Sequence, residues 1–296
     1  MLAYLQLLRL PTVFTAMADI VLGFVLTHRS LEPYPTFAAL LLASCGLYLA
    51  GMMFNDVFDR KQDAVERPNR PIPSGRVPLA AAIALGTLLM IGGVTASMWG
   101  NYWSSGVAAV LVIAVLAYDS FLKRTPLGPL GMGFCRFLNV MLGASDYTWH
   151  QQGSFLARPQ LVVAIGLGVY IIGVTWFART EAKQSARGQL AAALATLNAG
   201  LGVLVWLLWT WPNEGRVEIV LLLLGLIAVP LNLRAIAAIR DASPARVQGM
   251  IKLFLLNYVT LSATLVFWHT ADATLALGTA CLVIPAMLLS RIIPMT

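Results

Sequence analysis

Charged side chains are scarce in this sequence of 296 residues, in which Asp, Glu, Lys and Arg together make up 11% and hydrophobic residues 59%. The mean hydropathy of +0.78 is too high for a soluble domain of this size. Apolar runs long enough to cross a bilayer recur from end to end, which predicts a polytopic membrane protein. Because a bilayer offers no water to backbone polar groups, the fold must be all-α, and a mixed α/β fold is excluded.

Cysteine is also rare, and its pattern excludes a disulfide or metal framework. The three cysteines, Cys45, Cys135 and Cys281, lie in apolar runs without metal-ligand spacing, so we interpret them as buried small residues. The net charge of +7 does not indicate a nucleic-acid partner, because the basic residues are distributed over short loops between the apolar runs.

Ten membrane spans are predicted in a single transmembrane domain that covers residues 1–296. They lie near residues 11–28, 36–54, 79–98, 103–119, 127–145, 160–178, 189–210, 217–238, 248–268 and 272–291. The first run lacks a cleavage site and is interpreted as a span rather than a signal peptide. Sixteen of the 20 Lys and Arg residues fall on the side of the N-terminus and three on the other, which predicts that both termini are cytoplasmic.

The most polar segment, residues 55–76, lies directly after the second span. Its aspartates Asp56, Asp59 and Asp63 are spaced three and four residues apart, so a helix would carry them on one face. Three carboxylates so close together, beside the amide of Asn55, predict a Mg²⁺ site. The basic residues that follow suit a phosphate-bearing ligand and are Arg67, Arg70 and Arg76. The alternative is an ordinary hydrophilic loop.

Two further segments place polar side chains near the same side. Tyr118 ends the fourth span and Lys123 follows it, so the Lys123 ammonium could reach a phosphate; an interfacial tyrosine beside topology-determining basic residues is the alternative. Arg136 and Asn139 share one helix face inside the fifth span. A guanidinium at this depth must face either a polar cavity or a carboxylate partner, and Asp19 in the first span is a possible partner.

The segments around Asp56 and Arg70 together resemble the signature of the UbiA superfamily of intramembrane prenyltransferases. The resemblance is carried by Asn55-Asp56-x-x-Asp59-x-x-x-Asp63 and by the Asn-Arg-Pro-x-Pro-Ser-Gly segment that begins at Asn69. It implies a helical bundle around a central cavity, with nine or ten spans. It also implies Mg²⁺-dependent transfer of a prenyl group from a polyprenyl diphosphate to an aromatic or other small acceptor, in contact with membrane lipid.

The resemblance also implies roles for individual residues. The aspartates would hold Mg²⁺, and basic side chains such as Lys123 and Arg136 would stabilise the departing diphosphate, while Tyr118 and Asn139 would contact substrate. Related proteins carry a second acidic cluster after the sixth span, where this sequence has only Glu181, followed by Lys183. Either Lys183 replaces the second cation in catalysis, or the protein binds a prenylated or aromatic metabolite without reacting.

A narrower resemblance is carried by the segment Thr-Trp-Phe-Ala-Arg-Thr-Glu ending at Glu181 and by Cys-Arg-Phe-Leu-Asn ending at Asn139. These segments are similar to the EboC-type branch of UbiA-like proteins. That likeness implies a bacterial inner-membrane protein with a role in secondary-metabolite biosynthesis.

Overall fold

The computed structural model describes residues 2–146, 158–181, 184–211 and 216–293. Twelve α-helices and no β-strand occur in these ranges, which confirms the all-α prediction. The helices are α1 (Leu2–Leu7), α2 (Val13–His28), α3 (Tyr34–Glu66), α4 (Leu79–Ser97), α5 (Tyr102–Ser120), α6 (Gly128–Gly143), α7 (Pro159–Ala178), α8 (Arg187–Thr210), α9 (Val217–Asp241), α10 (Pro244–Thr270), α11 (Ala273–Ala280) and α12 (Val283–Leu289).

Eight helices in the described ranges are long and apolar enough to cross a membrane. They correspond to eight of the ten predicted spans, so the protein is an integral membrane protein. The predicted fifth span corresponds to α6, whose 16 residues make it shorter than the others. Helices α4, α8 and α9 lie at the periphery, where large apolar side chains such as Leu88, Leu222 and Leu233 are exposed, as expected for surfaces that face lipid.

The predicted tenth span, residues 272–291, is not one helix but two. Helix α11 packs against α10, and α12 packs against the 3₁₀ helix Leu10–Thr12 that precedes α2. The segment therefore returns to the end of the bundle at which α2 begins. The break falls at Cys281, which is exposed rather than buried as predicted. An apolar thiol can face lipid without the cost of facing water, so hydropathy alone did not distinguish the two environments.

Helix α3 carries the polar segment away from the apolar bundle. Its 33 residues extend for about 50 Å at 1.5 Å per residue, well beyond the roughly 30 Å hydrocarbon thickness of a bilayer. The last three turns, from Asn55 onward, thus continue past the apolar part of the same helix. One rigid helix therefore positions the acidic residues.

Close packing of α2 against α6 fixes the buried end of the site. A side chain at Gly23 would collide with the Val140 carbonyl oxygen, and one at Gly143 would lie 2.7 Å from the Ile20 carbonyl oxygen. Glycine at both positions allows the two backbones to approach closely. This contact places Asp19 on α2 next to the polar residues of α6.

Candidate functional site

The chain turns sharply after α3, and the turn presents several arginines to the acidic helix. The Ser74 hydroxyl donates to the Arg70 carbonyl oxygen at 2.6 Å, and Gly75 adopts φ 73°, a left-handed conformation that glycine accommodates without strain. The Arg76 side chain donates to the Asn69 carbonyl oxygen, which ties the two ends of the turn together. The Asn-Arg-Pro-x-Pro-Ser-Gly segment is thus a compact turn rather than an extended loop.

Asp56 lies at the centre of the first ion-pair cluster. Its Oδ1 accepts from the Arg9 guanidinium at 2.9 Å and from the Arg70 guanidinium at 3.3 Å. Arg70 also donates to Asp63 Oδ2 at 2.7 Å, so one arginine joins two turns of α3. Arg9 reaches this position because it adopts a left-handed conformation between α1 and the 3₁₀ helix.

Asp59 belongs to a second ion-pair cluster on the neighbouring face. The Lys123 ammonium donates to Asp59 Oδ2 at 2.7 Å and to Asn55 Oδ1 at 2.8 Å. Arg124 lies 3.4 Å from the other Asp59 oxygen. The structure therefore brings Lys123 to the acidic helix, whereas its predicted contact with a phosphate stays a prediction.

The arrangement corrects the prediction that the three aspartates point at one spot. Asp56 and Asp63 share Arg70, whereas Asp59 binds Lys123. No group of three or more His, Cys, Asp or Glu side chains in the described part of the chain could hold a metal ion. The aspartates are neutralised by arginine and lysine side chains of the same chain. These side chains divide the three carboxylates between two ion-pair clusters.

The oxygen donors nevertheless fit Mg²⁺. This ion is commonly held by one or two carboxylates together with substrate phosphate oxygens, rather than by a protein-only cage. Asp56 and Asp59 lie on adjacent faces of α3 beside the Asn55 amide oxygen, and all three are paired with cations that a diphosphate could bind instead. They would hold the ion, whereas Asp63 is engaged by Arg70 on the side of the turn.

Glu181, after α7, faces the arginine turn. Its carboxylate lies 3.9 Å from the Arg67 guanidinium. Burial raises the pKa of Glu181, while the positive charges of Arg67, Arg9 and Arg70 oppose the shift. Lys183, predicted as its catalytic neighbour, lies outside the described residues.

A cavity extends from these charged residues into the bundle. Its mouth is formed by Arg9, Arg67 and Glu181, and its wall includes Tyr118, whose predicted contact with substrate stays a prediction. The deeper lining comes from apolar side chains of α3, α6, α7 and α10, namely Met52, Met132, Ile171, Val174, Ile251 and Leu255. The cavity thus joins a charged entrance to an apolar interior.

Two pockets with a basic lining flank the acidic helix at this entrance. One contains Asp56 and four arginines, which are Arg9, Arg67, Arg70 and Arg76. The other contains Asp59 with Lys123, Arg124 and Arg179. In each pocket the basic side chains outnumber the carboxylate, so the lining of both is suited to a polyanion.

Arg136 and Asn139, which were predicted to contact the diphosphate and the substrate, are bound to side chains of neighbouring helices. The Arg136 guanidinium donates to Asp19 at 2.9 Å and to Thr15 at 2.6 Å, which is the ion pair that the sequence offered as the alternative. The Asn139 amide nitrogen donates to Asp19, and its oxygen accepts from Ser44. Leaving either group without a partner at this depth would be costly, and pairing removes that cost.

Two contributors to these clusters were missed as site residues. Arg9 lies in the cavity mouth. The Leu-Arg-Leu-Pro sequence around it gave a signal, because an arginine directly before a span lies at the end of that span. Tyr258 on α10 donates to Asp19 across the bundle, and its ring lies 5.4 Å from the Arg136 guanidinium carbon. This contact depends on tertiary packing, which the sequence does not reveal.

Comparison with known sequences places this site in a recognised family. The UbiA prenyltransferase family matches residues 16–258. A digeranylgeranylglyceryl phosphate synthase from Sulfurisphaera tokodaii is 30% identical over 158 residues, which cover 53% of this chain and 55% of that protein. A synthase of the same name from Saccharolobus solfataricus is 34% identical over 42% of this chain and 44% of its own length. The chain thus matches about half the length of these curated relatives.

Solved structures share the fold at low sequence identity. A UbiA homologue from Aeropyrum pernix K1 aligns with a TM-score of 0.67 at 16% identity, over 95% of this chain and 98% of that one. A UbiA homologue from Archaeoglobus fulgidus, solved with GPP and Mg²⁺, aligns with a TM-score of 0.52 at 11% identity, over 94% and 99% of the two chains. These alignments extend the likeness from the matched segment to the whole helical bundle. The chain belongs to the UbiA prenyltransferase family.

Proposed function

We propose that this protein transfers a prenyl group from a polyprenyl diphosphate to a small acceptor. The observation that carries the proposal is the cavity that joins a charged mouth, formed by Arg9, Arg67 and Glu181, to an apolar interior. An amphiphile with a diphosphate head and a hydrocarbon tail matches both parts. The names of the relatives, digeranylgeranylglyceryl phosphate synthases, support a reaction of this class.

Asn55, Asp56 and Asp59 would hold Mg²⁺, which when bound would neutralise charge on the diphosphate oxygens. Lys123 and Arg9 would transfer their hydrogen bonds from the aspartates to the departing diphosphate, and fixed cations at that place favour cleavage of the allylic C–O bond. The apolar lining would exclude water, so that the allylic carbon is captured by the acceptor and not hydrolysed.

The acceptor is proposed to carry a hydroxyl group. A glyceryl phosphate is the first choice, because the names of the relatives contain that group. An aromatic acceptor remains a prediction of the sequence resemblance, as do the EboC-type placement and a role in secondary metabolism. The excess of Lys and Arg on the side of the acidic helix supports a cytoplasmic entrance to the cavity. Location in a bacterial plasma membrane remains a prediction of the sequence resemblance.

A non-catalytic binding protein is the second candidate. It is favoured by the second acidic segment, which follows α7. Among the described residues of that segment, Glu181 is the only carboxylate, and it lies 3.9 Å from Arg67 at the cavity mouth. Such a protein would bind a prenyl diphosphate, or a prenylated metabolite, and release it unchanged.

The two candidates differ in whether the C–O bond breaks. Detergent-purified protein would be incubated with Mg²⁺, geranylgeranyl diphosphate and geranylgeranylglyceryl phosphate, and the mixture analysed for pyrophosphate and for the doubly prenylated product by mass spectrometry. Product formation that disappears in Asp56→Ala but persists in Glu66→Ala, an exposed acidic control on the same helix, supports the transferase. Binding without pyrophosphate, with this or any other acceptor, would favour the second candidate.

A further inference from the structure

Asp119, near the C-terminal end of α5, is a buried carboxylate that the proposed diphosphate site does not use. Only 3% of its surface is exposed. Within the described residues its carboxylate takes part in no hydrogen bond and no ion pair, in contrast to Asp19, Asp56, Asp59 and Asp63, which are all bound. A buried carboxylate without a hydrogen bond is costly, so its retention at this depth indicates a ligand or a proton.

Asp119 lines a partly open apolar pocket between α3, α5 and α6. The remaining lining is mostly hydrocarbon, including Leu47, Leu111 and Val115. At Gly51 the absence of a side chain leaves room, because a Cβ there would lie 3.0 Å from Val115. The pocket therefore combines a small apolar space, of about 60 Å³, with one carboxylate that nothing in the described chain satisfies.

This pocket adjoins the central cavity through a shared wall. The residues common to both are Tyr48, Met52, Tyr118, Met132 and Arg136. Lys123 follows Asp119 by four residues, and its ammonium binds Asp59 and Asn55 at the diphosphate end. A molecule in the pocket would thus lie beside the place where the allylic carbon of a bound donor is expected.

We propose that the pocket holds the part of the acceptor that carries its reacting hydroxyl group, and that Asp119 accepts the hydroxyl proton during transfer. This inference rests on the proposed prenyl transfer. The acceptor oxygen forms a bond to the allylic carbon, the bond between that carbon and the diphosphate oxygen breaks, and the diphosphate leaves with the electron pair. The hydroxyl proton passes to the Asp119 carboxylate and from there to water after the product departs.

The chemistry of the pocket favours the acceptor over the prenyl tail as its occupant. A hydrocarbon tail would bury Asp119 further without giving it a hydrogen bond, whereas a hydroxyl group donates one. The charged and titratable groups that surround Asp119 from the packed elements are Tyr118, Lys123, Asp59, Asp56, Arg9, Cys135, Arg136 and Tyr48. Among these, Lys123 exerts the strongest electrostatic effect, and it is already bound to Asp59 and Asn55.

A labelling experiment tests the pocket without requiring turnover. Dicyclohexylcarbodiimide, an apolar reagent for carboxyl groups in membrane interiors, should label Asp119 in purified wild-type protein, as read by peptide mass spectrometry. An excess of 4-hexylphenol should slow this labelling at least threefold more than hexylbenzene, which has the same tail and no hydroxyl group. Equal effects of the two compounds, or no labelling of Asp119, would overturn the assignment of the pocket.

A transfer experiment tests the role of the carboxylate. Asp119→Asn keeps the shape but cannot take the proton, so transfer of the geranylgeranyl group to geranylgeranylglyceryl phosphate should fall at least 100-fold. Affinity for a non-hydrolysable prenyl thiodiphosphate should stay within threefold, and Asp119→Glu should recover part of the transfer. Asp241→Asn, which removes an exposed carboxylate on α9, is the matched control and should transfer normally.

The outcomes separate this inference from the function on which it rests. Wild-type transfer together with full transfer by Asp119→Asn would overturn the role of Asp119 and leave the transferase intact. Wild-type protein that releases no pyrophosphate with any acceptor would overturn both the transferase and the proton transfer. Protection by 4-hexylphenol in that second case would retain the pocket as a hydroxyl-binding site of a binding protein.

Discussion

Two clusters in this protein use the same residue types in different surroundings. In the buried cluster, Asp19 is fully buried and accepts from Arg136, Asn139 and Tyr258. In the entrance cluster, Asp56 and Asp59 are paired with Arg9 and Lys123, whose side chains are 19% and 13% exposed. The side chains of the buried cluster can bind only to one another. The side chains at the entrance can release a partner and bind a ligand instead.

An Arg–Asp ion pair is therefore not by itself evidence of a functional site. The buried pair satisfies charges that the fold has placed in the bilayer interior, and breaking it leaves an uncompensated charge. The entrance pairs lie at the mouth of a cavity, where water and a diphosphate can reach them. Function therefore depends on whether a ligand can replace one partner of the ion pair.

The largest expected effect is on stability and concerns the buried pair. Arg136→Met should destabilise the protein by about 3–5 kcal/mol, because Asp19 would stay buried with its charge uncompensated. Asp19→Leu should cost a similar amount. The double variant should lose clearly less than the sum of the two, as measured by thermal unfolding in detergent. Additive losses would contradict a direct pair.

The next largest effect is on catalysis and concerns the entrance. Asp56→Ala and Asp59→Ala should each lower Mg²⁺-dependent transfer at least about 100-fold, or roughly 2.7 kcal/mol in activation free energy. Both variants should lower the unfolding midpoint less than the buried-pair variants, because the cation partners at the entrance are partly exposed and can be hydrated. Steady-state kinetics and thermal unfolding measure the two properties. Transfer within threefold of wild type in both variants would exclude these aspartates from the metal site.

Lys123 should show an intermediate effect. Its ammonium binds Asp59 and Asn55, so Lys123→Ala removes a cation that would otherwise move to the diphosphate. We expect transfer to fall about tenfold or more, which is the usual size of losing one charge-assisted contact. Lys61→Ala, an exposed lysine on α3, is the control and should retain activity. Equal activity of the two variants would contradict a role for Lys123.

The smallest effects are expected at the second acidic segment. If Lys183 replaces the second metal site of related proteins, Lys183→Ala should impair turnover about tenfold, and Glu181→Gln only a few fold. The Glu181 change should be mild because this carboxylate lies 3.9 Å from Arg67 and forms no hydrogen bond with it. Turnover numbers at saturating donor would measure both. A larger loss in Glu181→Gln would reverse the proposed roles.

Much of the fold could be predicted from the sequence because membrane helices are determined by local composition. The apolar runs and the helical face that carries Asp56, Asp59 and Asp63 are local features of this kind. The two short helices of the last segment were missed, since no local signal distinguishes a broken apolar run from a continuous one. The ion-pair partners of each carboxylate could not be predicted either, because several of them come from distant parts of the chain.

The site shows the same division between local and tertiary information. The sequence indicated that Lys123 lies on the same side of the membrane as the acidic segment, because two spans separate them, but its pairing with Asp59 comes from tertiary packing. Whether Arg136 faced a ligand or Asp19 depended on how α2 packs against α6, which the sequence left open. Asp119 follows Tyr118 directly in the sequence, but only the structure shows that its carboxylate has no hydrogen-bond partner among the described residues.

We expect the ion pairs of the entrance cluster to separate when a prenyl diphosphate binds, while those of the buried cluster stay intact. This expectation is tested most directly by the affinity of farnesyl thiodiphosphate, a non-hydrolysable donor, with and without Mg²⁺, in three proteins: the wild type, Asp56→Ala/Asp59→Ala, and Asp19→Leu/Arg136→Met. The account predicts Mg²⁺-dependent binding in the wild type and in the folded fraction of the buried-pair variant, and its loss in the entrance variant. Binding that survives in the entrance variant but vanishes in the folded buried-pair variant would contradict the account.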